Sequence, residues 1–324
     1  MLAPHLSYRT WRRSFDLKTI KPPSTVGRKA DFPLFCCLRN ELFRLPQFLD
    51  YYRGLGVQQF YFIDNDSTDG LQDYLAEQED CAVWHTKASY KASNFGMDWC
   101  NYLLRRFGAG KWTLCVDPDE FLIYPHCETR SIGELTRYMD EAGQRSLFTT
   151  MIDCYSDRPI EETALDRDTN PFDLCPYFDR FNFTQTFNEK GDHCWVQGGV
   201  RMRKSFFNMP FKAPALNKVP LIKWQKNYFY TSSMHQTNAR NINCNLSQSE
   251  MFVSGCLFHF KYVSELKKKS EEELARKQHY DNSSEYSKYA STTSEVYYDK
   301  DISVRYNGSK HLESMQFMQS GEWF

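Results

Sequence analysis

The sequence predicts an α/β protein with a mainly parallel central sheet flanked by helices. Short apolar runs alternate with segments of helical spacing from residue 32 onward, and polar, acidic turns directly follow two of these runs. Such alternation is typical of a parallel sheet, whose ligands bind beyond the carboxyl ends of the strands. We therefore expect a binding site at this edge of the sheet, in a chain whose 324 residues suit one large domain or two small ones.

Composition narrows the function classes. A net charge of −1 argues against a general nucleic-acid binder, so no nucleic-acid partner is expected. Eleven cysteines without a C-x-x-C pair predict neither a zinc site nor a disulfide framework. No apolar run reaches the ~20 residues that span a bilayer, and no signal-peptide core follows the first residue. We therefore expect a cytoplasmic protein.

Residues 1–31 are predicted to form a basic N-terminal arm. Residues 1–29 carry seven Lys or Arg against one acid, with aromatic and aliphatic side chains between them. A partly ordered arm is one interpretation. The other is attraction to an anionic membrane surface, at the inner face of a membrane, because basic and aromatic residues together suit lipid head groups.

The nucleotide-sugar half is predicted at residues 32–152. Apolar runs predict strands at 34–38, 59–63, 83–85, 112–116 and 146–152. Helical spacing and glycine stops predict helices near 45–52 and 97–107, and a capping box at Ser131 and Glu134 predicts a third that ends near Ala142.

The strand at 112–116 ends in Asp117-Pro118-Asp119. Pro118 fixes its own φ and biases Asp117 towards an extended backbone, so both aspartates can point out of the strand's carboxyl end. Adjacent carboxylates repel unless a cation lies between them. Oxygen ligands suit Mg²⁺ or Mn²⁺, which in turn bind phosphate oxygens. The alternative is an acidic surface turn.

Several segments carry a resemblance to a known family. They are Phe-Cys-Cys-Leu-Arg-Asn-Glu at 35–41, Leu-Pro-Gln-Phe-Leu at 45–49, Gly-Leu-Gly-Val at 54–57, Asp-Asn-Asp-Ser-Thr-Asp-Gly at 64–70, and Asp-Pro-Asp-Glu-Phe at 117–121. Together they resemble family 2-type glycosyltransferases, in the branch with a short Asp-x-Asp-Glu-Phe motif. The resemblance covers about residues 33–125 and returns more weakly at 217–224, at 235 and at 258–261. It implies a GT-A (Rossmann-like) fold and sugar transfer from a nucleoside diphosphate donor.

The resemblance also implies roles for individual residues. Asp64, with Asn65 beside it, should contact the nucleoside, and Arg39 and Glu41 should border the same pocket. Asp117 and Asp119 should hold the metal and the diphosphate. The alternatives are that Asp64 only caps its helix and that Arg39 pairs with a neighbouring carboxylate.

Residues 153–262 are predicted to form the acceptor-side and catalytic half. In a strand at 256–262, Leu257, His259 and Lys261 share one face. Because the family often places a late histidine on the metal, His259 becomes a candidate third ligand. Lys261 becomes a candidate partner for the diphosphate. A histidine with a purely structural hydrogen bond is the alternative.

An inverting enzyme also needs a carboxylate that deprotonates the acceptor hydroxyl. The Glu-Asp pair usual in the family is absent from its expected region, which leaves base and stereochemistry open. Asp192 is the first candidate and Asp153 the second.

A second basic segment spans 201–226, where seven Lys or Arg occur without an acid. It is either a solvated face or a platform for an anionic acceptor or membrane. Residues 263–324 are predicted to form a C-terminal helix and tail.

These features predict a metal-dependent glycosyltransferase of the hexosyltransferase type. It would use a nucleotide sugar and Mn²⁺ or Mg²⁺, act on a glycan or lipid-linked saccharide, and invert the anomeric centre, in cell-surface polysaccharide or lipopolysaccharide synthesis. One alternative is a nucleotidyltransferase of similar architecture, although residues 33–45 lack the glycines of a phosphate loop. The other is a non-catalytic saccharide- or lipid-binding protein.

Overall fold

The computed structural model describes residues 3–190, 193–244, 249–276, 278 and 294–323. These residues form a large central sheet with flanking helices, which confirms the predicted α/β class. The strands are β1 (Lys18–Lys21), β2 (Pro33–Leu38), β3 (Gln59–Asp64), β4 (Cys81–His85), β5 (Trp112–Cys115), β6 (Glu120–Ile123), β7 (Ser146–Asp153), β8 (Tyr177–Asp179), β9 (Phe183–Phe187), β10 (Cys194–Gly198), β11 (Asn217–Lys223), β12 (Tyr230–Ser232), β13 (Gln236–Thr237), β14 (Ser254–His259) and β15 (Ser303–Arg305). The helices are α1 (Pro4–Ser14), α2 (Leu45–Leu55), α3 (Leu71–Glu77), α4 (Met97–Leu103), α5 (Ile132–Glu141), α6 (Pro171–Leu174), α7 (Gly199–Ser205), α8 (Glu265–Arg276) and α9 (Ser309–Ser314).

The main sheet has the strand order β1-β4-β3-β2-β5-β11-β7-β14-β6 among the described residues. The part from β4 to β5 is parallel, as predicted. Beyond β5 the sheet is mixed, because β11 is antiparallel to both β5 and β7, and β14 is parallel to β7 but antiparallel to β6. Two late strands, β11 and β14, therefore join strands formed by the first half of the chain.

Local signals explain the helices that flank the sheet. In α2, Leu45, Phe48 and Tyr52 are among the residues that bury one face against the sheet, and Gly56 ends the helix with a φ of 105°. Only glycine adopts such a left-handed conformation readily. The predicted capping box of α5 is confirmed, since Ser131 and Glu134 each bond the other's backbone N–H.

The N-terminal segment belongs to the fold, in contrast to a loose arm. β1 pairs with β4 and forms one edge of the main sheet, and α1 packs on α4. Arg9 lies 2.9 Å from Asp98, and the Trp99 indole donates to Asp16 at 3.1 Å. Within the part of the chain that the structure describes, every helix is too short or too polar to cross a bilayer.

Helix α2 holds the short edge strand β6 through two tyrosines, Tyr51, whose hydroxyl donates to the Leu122 carbonyl at 2.6 Å, and the fully buried Tyr52. The Tyr52 hydroxyl donates to the Glu120 carbonyl at 2.9 Å and accepts from the Leu122 N–H at 3.2 Å. Both backbone groups are in a dry interior, so a lost partner is not replaced by water.

We expect Tyr52→Phe to lower the free energy of unfolding by about 1–3 kcal/mol, because it leaves two buried backbone groups without their partner. Urea denaturation measures the change. Tyr102→Phe is the matched control: its hydroxyl accepts from Arg106 at the surface, so a change within about 0.5 kcal/mol is expected. Equal losses in both variants would show that Tyr52 does not anchor β6.

Candidate active site

The carboxyl ends of β2, β3, β5, β7 and β14 lie at the same edge of the sheet, since these strands run in one direction. Asp64, Asp153 and His259 are the last residues of three of them. Asp117 and Asp119 lie in the turn between β5 and β6. The sequence-predicted acids and the late histidine are thus brought to one edge.

Lys218, on β11, joins two acids of the turn. Its ammonium lies 3.3 Å from Asp117 Oδ2 and 2.9 Å from Glu120 Oε1. The turn is closed by the Glu120 N–H bonded to the Asp117 carbonyl at 3.1 Å, and the Asp117 N–H donates to the Glu120 carboxylate at the same distance. Burial alone would lower the pKa of Lys218, but Glu120 and Asp117 raise it above its ordinary value. Lys218 is therefore a buried ammonium that neutralises this pair.

Asp119 turns to a different partner, His259. Nε2 of His259 lies 3.2 Å from Asp119 Oδ2, and Nδ1 lies 2.6 Å from Asp153 Oδ1. Arg201 donates to both oxygens of Asp153, at 3.0 and 2.7 Å. Asp153 and His259 are directly opposite each other in the parallel β7–β14 pair, which puts their side chains on the same face.

This charge pattern shifts the pKa values of the group. Burial would lower the pKa of His259, but Asp119 and Asp153 raise it to about 9. Burial would raise the pKa of Asp119, yet His259 and Arg44 hold it well below its ordinary value. The pKa of Asp153 is likewise depressed, because Arg201 and His259 outweigh the effect of its burial. Both aspartates are therefore anionic.

The three predicted metal ligands, Asp117, Asp119 and His259, do not all face one another in the structure. In the described residues no three His, Cys, Asp or Glu side chains converge as a preformed metal cage. The Asp117 carboxylate is directed to Lys218, whereas Asp119 and His259 face each other. Two ligand atoms at right angles, about 2.1 Å from an octahedral cation, are about 3 Å apart. The 3.2 Å separation of Asp119 Oδ2 and His259 Nε2 fits two adjacent ligands of a divalent cation.

Glu41 lies inside an ion-pair cluster between the sheet edge and α8. Arg44 Nε is 3.0 Å from Glu41, and Lys269 of α8 forms a close ion pair with the same carboxylate. Arg44 Nη1 also donates to the Phe260 carbonyl at 3.0 Å and lies 3.8 Å from Asp119. Burial raises the pKa of Glu41, opposed by Lys269 and Arg44. Glu41 therefore ties α8 to the Asp119 side of the site.

Asp64 is completely buried and organises its own loop. Oδ1 accepts from the Ser67 N–H at 2.9 Å, and the Gln72 side-chain amide bonds Oδ2. Helix α3 has Gly70 as its N-cap. Asp64 therefore closes the turn before α3, and does not cap the helix directly.

Arg39 and Asn65 are covered by α8. Arg39 Nε donates to Glu272 at 2.7 Å and Nη1 to the Asn65 carbonyl at 2.7 Å. Asn40 donates to the same Glu272, and Arg276 donates to the Asn65 side-chain oxygen at 3.3 Å. The alternative in which Arg39 pairs with a carboxylate is therefore realised, but with one that is distant in sequence.

Two predicted site residues remain. β14 ends at His259, so the predicted strand to residue 262 is too long and half-buried Lys261 lies beyond it. Its assumed alternation with His259 along one strand is therefore wrong, while its diphosphate role stays a prediction. Asp192 lies outside the described residues.

The basic segment at 201–226 is largely neutralised within the fold. Five of its seven cations form ion pairs with acids, namely Arg201 with Asp153, Arg203 with Asp179, Lys204 with Glu295, Lys218 with Asp117 and Glu120, and Lys223 with Asp140. The segment is thus not the continuous basic platform that was the alternative to a solvated face.

The sequence reasoning missed the cations that hold the site. Lys218 carries a readable signal, because a lysine inside an apolar strand is rarely buried without an acidic partner. Arg44 and Arg201 carry no comparable local signal.

Together, fold and site define an α/β protein with an acidic, cation-balanced site at the carboxyl edge of its sheet. No family model matches the chain. The chain is similar to a glycosyltransferase family 92 protein of Ricinus communis, 31% identical over 136 residues that make up 40% of this chain and 22% of the relative. A second family 92 glycosyltransferase, from Oryza sativa subsp. japonica, is 30% identical over 106 residues, 32% of this chain and 18% of the relative. The chain therefore matches about a fifth of the length of these relatives.

Two solved structures show only a distant similarity to this chain. HddC from Yersinia pseudotuberculosis covers 59% of this chain and 73% of its own, at 10% identity and a TM-score of 0.28. The match to UDP-glucose pyrophosphorylase from Acinetobacter baumanii covers 80% of this chain and 98% of the pyrophosphorylase chain, at 9% identity and a TM-score of 0.28. Likeness at such scores supports no inference.

We expect Lys218→Met to lower the free energy of unfolding by about 3–5 kcal/mol, because it leaves the buried Glu120, and the partly exposed Asp117, without their cation. Lys223→Met, on the same strand, removes a half-exposed partner of Asp140 and should cost less than about 1 kcal/mol. Equilibrium urea unfolding of both variants tests this. If the two losses match, Lys218 does not carry the proposed charge balance.

Proposed function

We propose that this protein is a metal-dependent glycosyltransferase that moves a hexose from a nucleoside diphosphate to a glycan or lipid-linked saccharide. The observation that carries the proposal is the meeting of Asp119 and His259, with Asp117 alongside, at the edge of the sheet where ligands bind. The names of the two relatives support glycosyl transfer as the class of activity. They are of family 92, so membership of family 2 stays a prediction. An inverting outcome and a place in cell-surface polysaccharide or lipopolysaccharide synthesis belong to the proposal.

In this proposal Asp119 and the His259 Nε2, which would release its proton to solvent, would hold Mn²⁺ or Mg²⁺, and Asp117 would border the same cation. Such a cation, when bound, stabilises the negative charge that develops on the leaving diphosphate. Lys218 balances Asp117 and Glu120, so the acids stay folded against the sheet before the donor arrives.

The remaining predicted residues receive binding roles. Arg39, Asp64 and Asn65 border the nucleoside, where Arg39 and Asn65 exchange their contacts with α8 for contacts with the donor. Lys261, just beyond β14, neutralises diphosphate charge. Asp192 is proposed to deprotonate the acceptor hydroxyl.

We also propose that α1 docks the protein on an anionic membrane surface. Tyr8, Trp11 and Phe15 follow one another at i, i+3 and i+7 and are 60%, 56% and 72% exposed. They form one apolar stripe, and Arg12 and Lys18 are exposed beside it. Aromatic side chains with flanking cations suit the interface of an anionic bilayer. Docking there would bring the site to a lipid-linked acceptor.

We expect Asp119→Asn to abolish Mn²⁺-dependent hydrolysis of nucleotide sugars and transfer from them, while the far-UV circular dichroism spectrum shows the native fold, because His259 keeps Asp153 as its anion. Asparagine keeps the shape of aspartate but loses the charge that holds the cation. Release of nucleoside diphosphate from a panel of nucleotide sugars, with and without Mn²⁺, is the measurement. Asp140→Asn, at the surface, is the control and should stay active. Full activity of Asp119→Asn at limiting Mn²⁺ would refute the assignment.

We expect the triple variant Tyr8→Ser/Trp11→Ser/Phe15→Ser to stay in the supernatant under conditions in which the wild-type protein sediments with phosphatidylserine vesicles. Wild-type binding should fall with salt, since each basic residue near the surface contributes roughly 1 kcal/mol that salt screens. Phe207→Ser/Phe211→Ser is the matched control, because these rings are 78% and 75% exposed in the basic segment. Loss of binding only in this control would place the membrane contact on the acceptor side instead.

A further inference from the structure

One buried chain of contacts links Arg201 to Asp119 through Asp153 and His259. The side chains of Asp153 and Arg201 are 1% and 5% exposed. The Arg201 fork bonds both oxygens of Asp153, and Asp153 Oδ1 contacts His259 Nδ1 at 2.6 Å. The opposite ring nitrogen, Nε2, then faces Asp119 at 3.2 Å.

These contacts determine the tautomer and the orientation of the His259 ring. A carboxylate oxygen 2.6 Å from Nδ1 requires a proton on that nitrogen, since two lone pairs at this distance would repel. Arg201 Nη2 lies 3.2 Å from the same nitrogen, so the Asp153 oxygen is its closer partner. The strand register restricts the ring further, because Asp153 and His259 are directly paired across β7 and β14. The orientation of Nε2 is therefore set by Asp153, and that of Asp153 by Arg201.

We propose that Asp153 and Arg201 are positioning residues that hold His259 with Nδ1 engaged and Nε2 presented, beside Asp119, to a divalent cation. The inference rests on the proposed function, in which that cation binds. It gives Asp153 a different role from the acceptor base considered above. A buried aspartate with both oxygens engaged by Arg201 and His259 is placed to orient a ring, and a hydrogen-bonded carboxylate behind a ligating histidine raises metal affinity.

The test measures Mn²⁺ affinity directly, by calorimetry or by the paramagnetic signal of free Mn²⁺, without any sugar donor. Asp153→Asn should weaken Mn²⁺ binding by about 10–100-fold. Arg201→Lys, which keeps the charge but not the fork, should weaken it less. Asp119→Asn, which removes a ligand, should weaken it most.

A double variant separates positioning from simple ion pairing. Asp153→Asn leaves Arg201 buried without its anion and can unfold the protein, whereas Asp153→Asn/Arg201→Met removes both charges and should restore thermal stability. If Asp153 is a positioning residue, the stable double variant binds Mn²⁺ more weakly than the wild type does, because the carboxylate behind His259 is gone. Wild-type affinity in the stable double variant would overturn the role.

The same titrations distinguish this inference from the proposed function. If Asp119→Asn loses Mn²⁺ but the double variant keeps wild-type affinity, only the positioning role fails. If the wild type itself does not bind Mn²⁺ at millimolar concentration, the metal assignment fails and the positioning role falls with it.

Discussion

Charge neutralisation at the carboxyl edge of the sheet is the constraint on which the rest of the structure depends. Five of the acids in or near this edge each have a cation against them, whereas the buried Asp64 is held by hydrogen bonds from Ser67 and Gln72. The pairs are Glu41 with Arg44 and Lys269, Asp117 and Glu120 with Lys218, Asp119 with His259, and Asp153 with Arg201. A buried charge without its partner costs several kcal/mol. The strands and helices that carry the cations are therefore constrained to pack next to the acids.

This constraint explains why two neighbouring aspartates behave differently. Asp117 is held towards β11 by Lys218, whereas Asp119 is held towards β14 by His259. Pro118 between them separates the two carboxylates, so each meets a different strand. The half-exposed Asp117 and the more enclosed Asp119 therefore present unlike surfaces to a ligand.

The sequence predicts the parts of this arrangement that are local. Apolar runs place β2, β3 and β5, and the acids after them follow from strand polarity alone. The candidate metal role of His259 rests on a family resemblance alone, because nothing near position 259 indicates its contact with Asp119.

The cation partners are harder to predict, because their contacts cross long stretches of chain. Lys218 lies 101 residues from Asp117, and Arg39 lies 233 residues from Glu272. The charged residues and their spacing in α8 are typical of a helix exposed on the surface. In the structure, however, α8 lies across the strand ends and contacts Arg39, Glu41 and Asn65 there. The α1 segment shows the same limit, since its basic composition did not reveal the buried Asp98 that holds Arg9.

The order in which the chain is synthesised gives the late strands a further importance. On the ribosome, the acids at 117–120 and 153 emerge well before the cations at 201, 218 and 259 that pair with them. In that interval β6 and β7 lack the strand partners that they have among the described residues, since β11 and β14 have not yet been made. Open strand edges of this kind invite pairing with other chains. The edges of β6 and β7 therefore stay open until residue 259 has been made, and the strand pairing that closes them also brings His259 to Asp119.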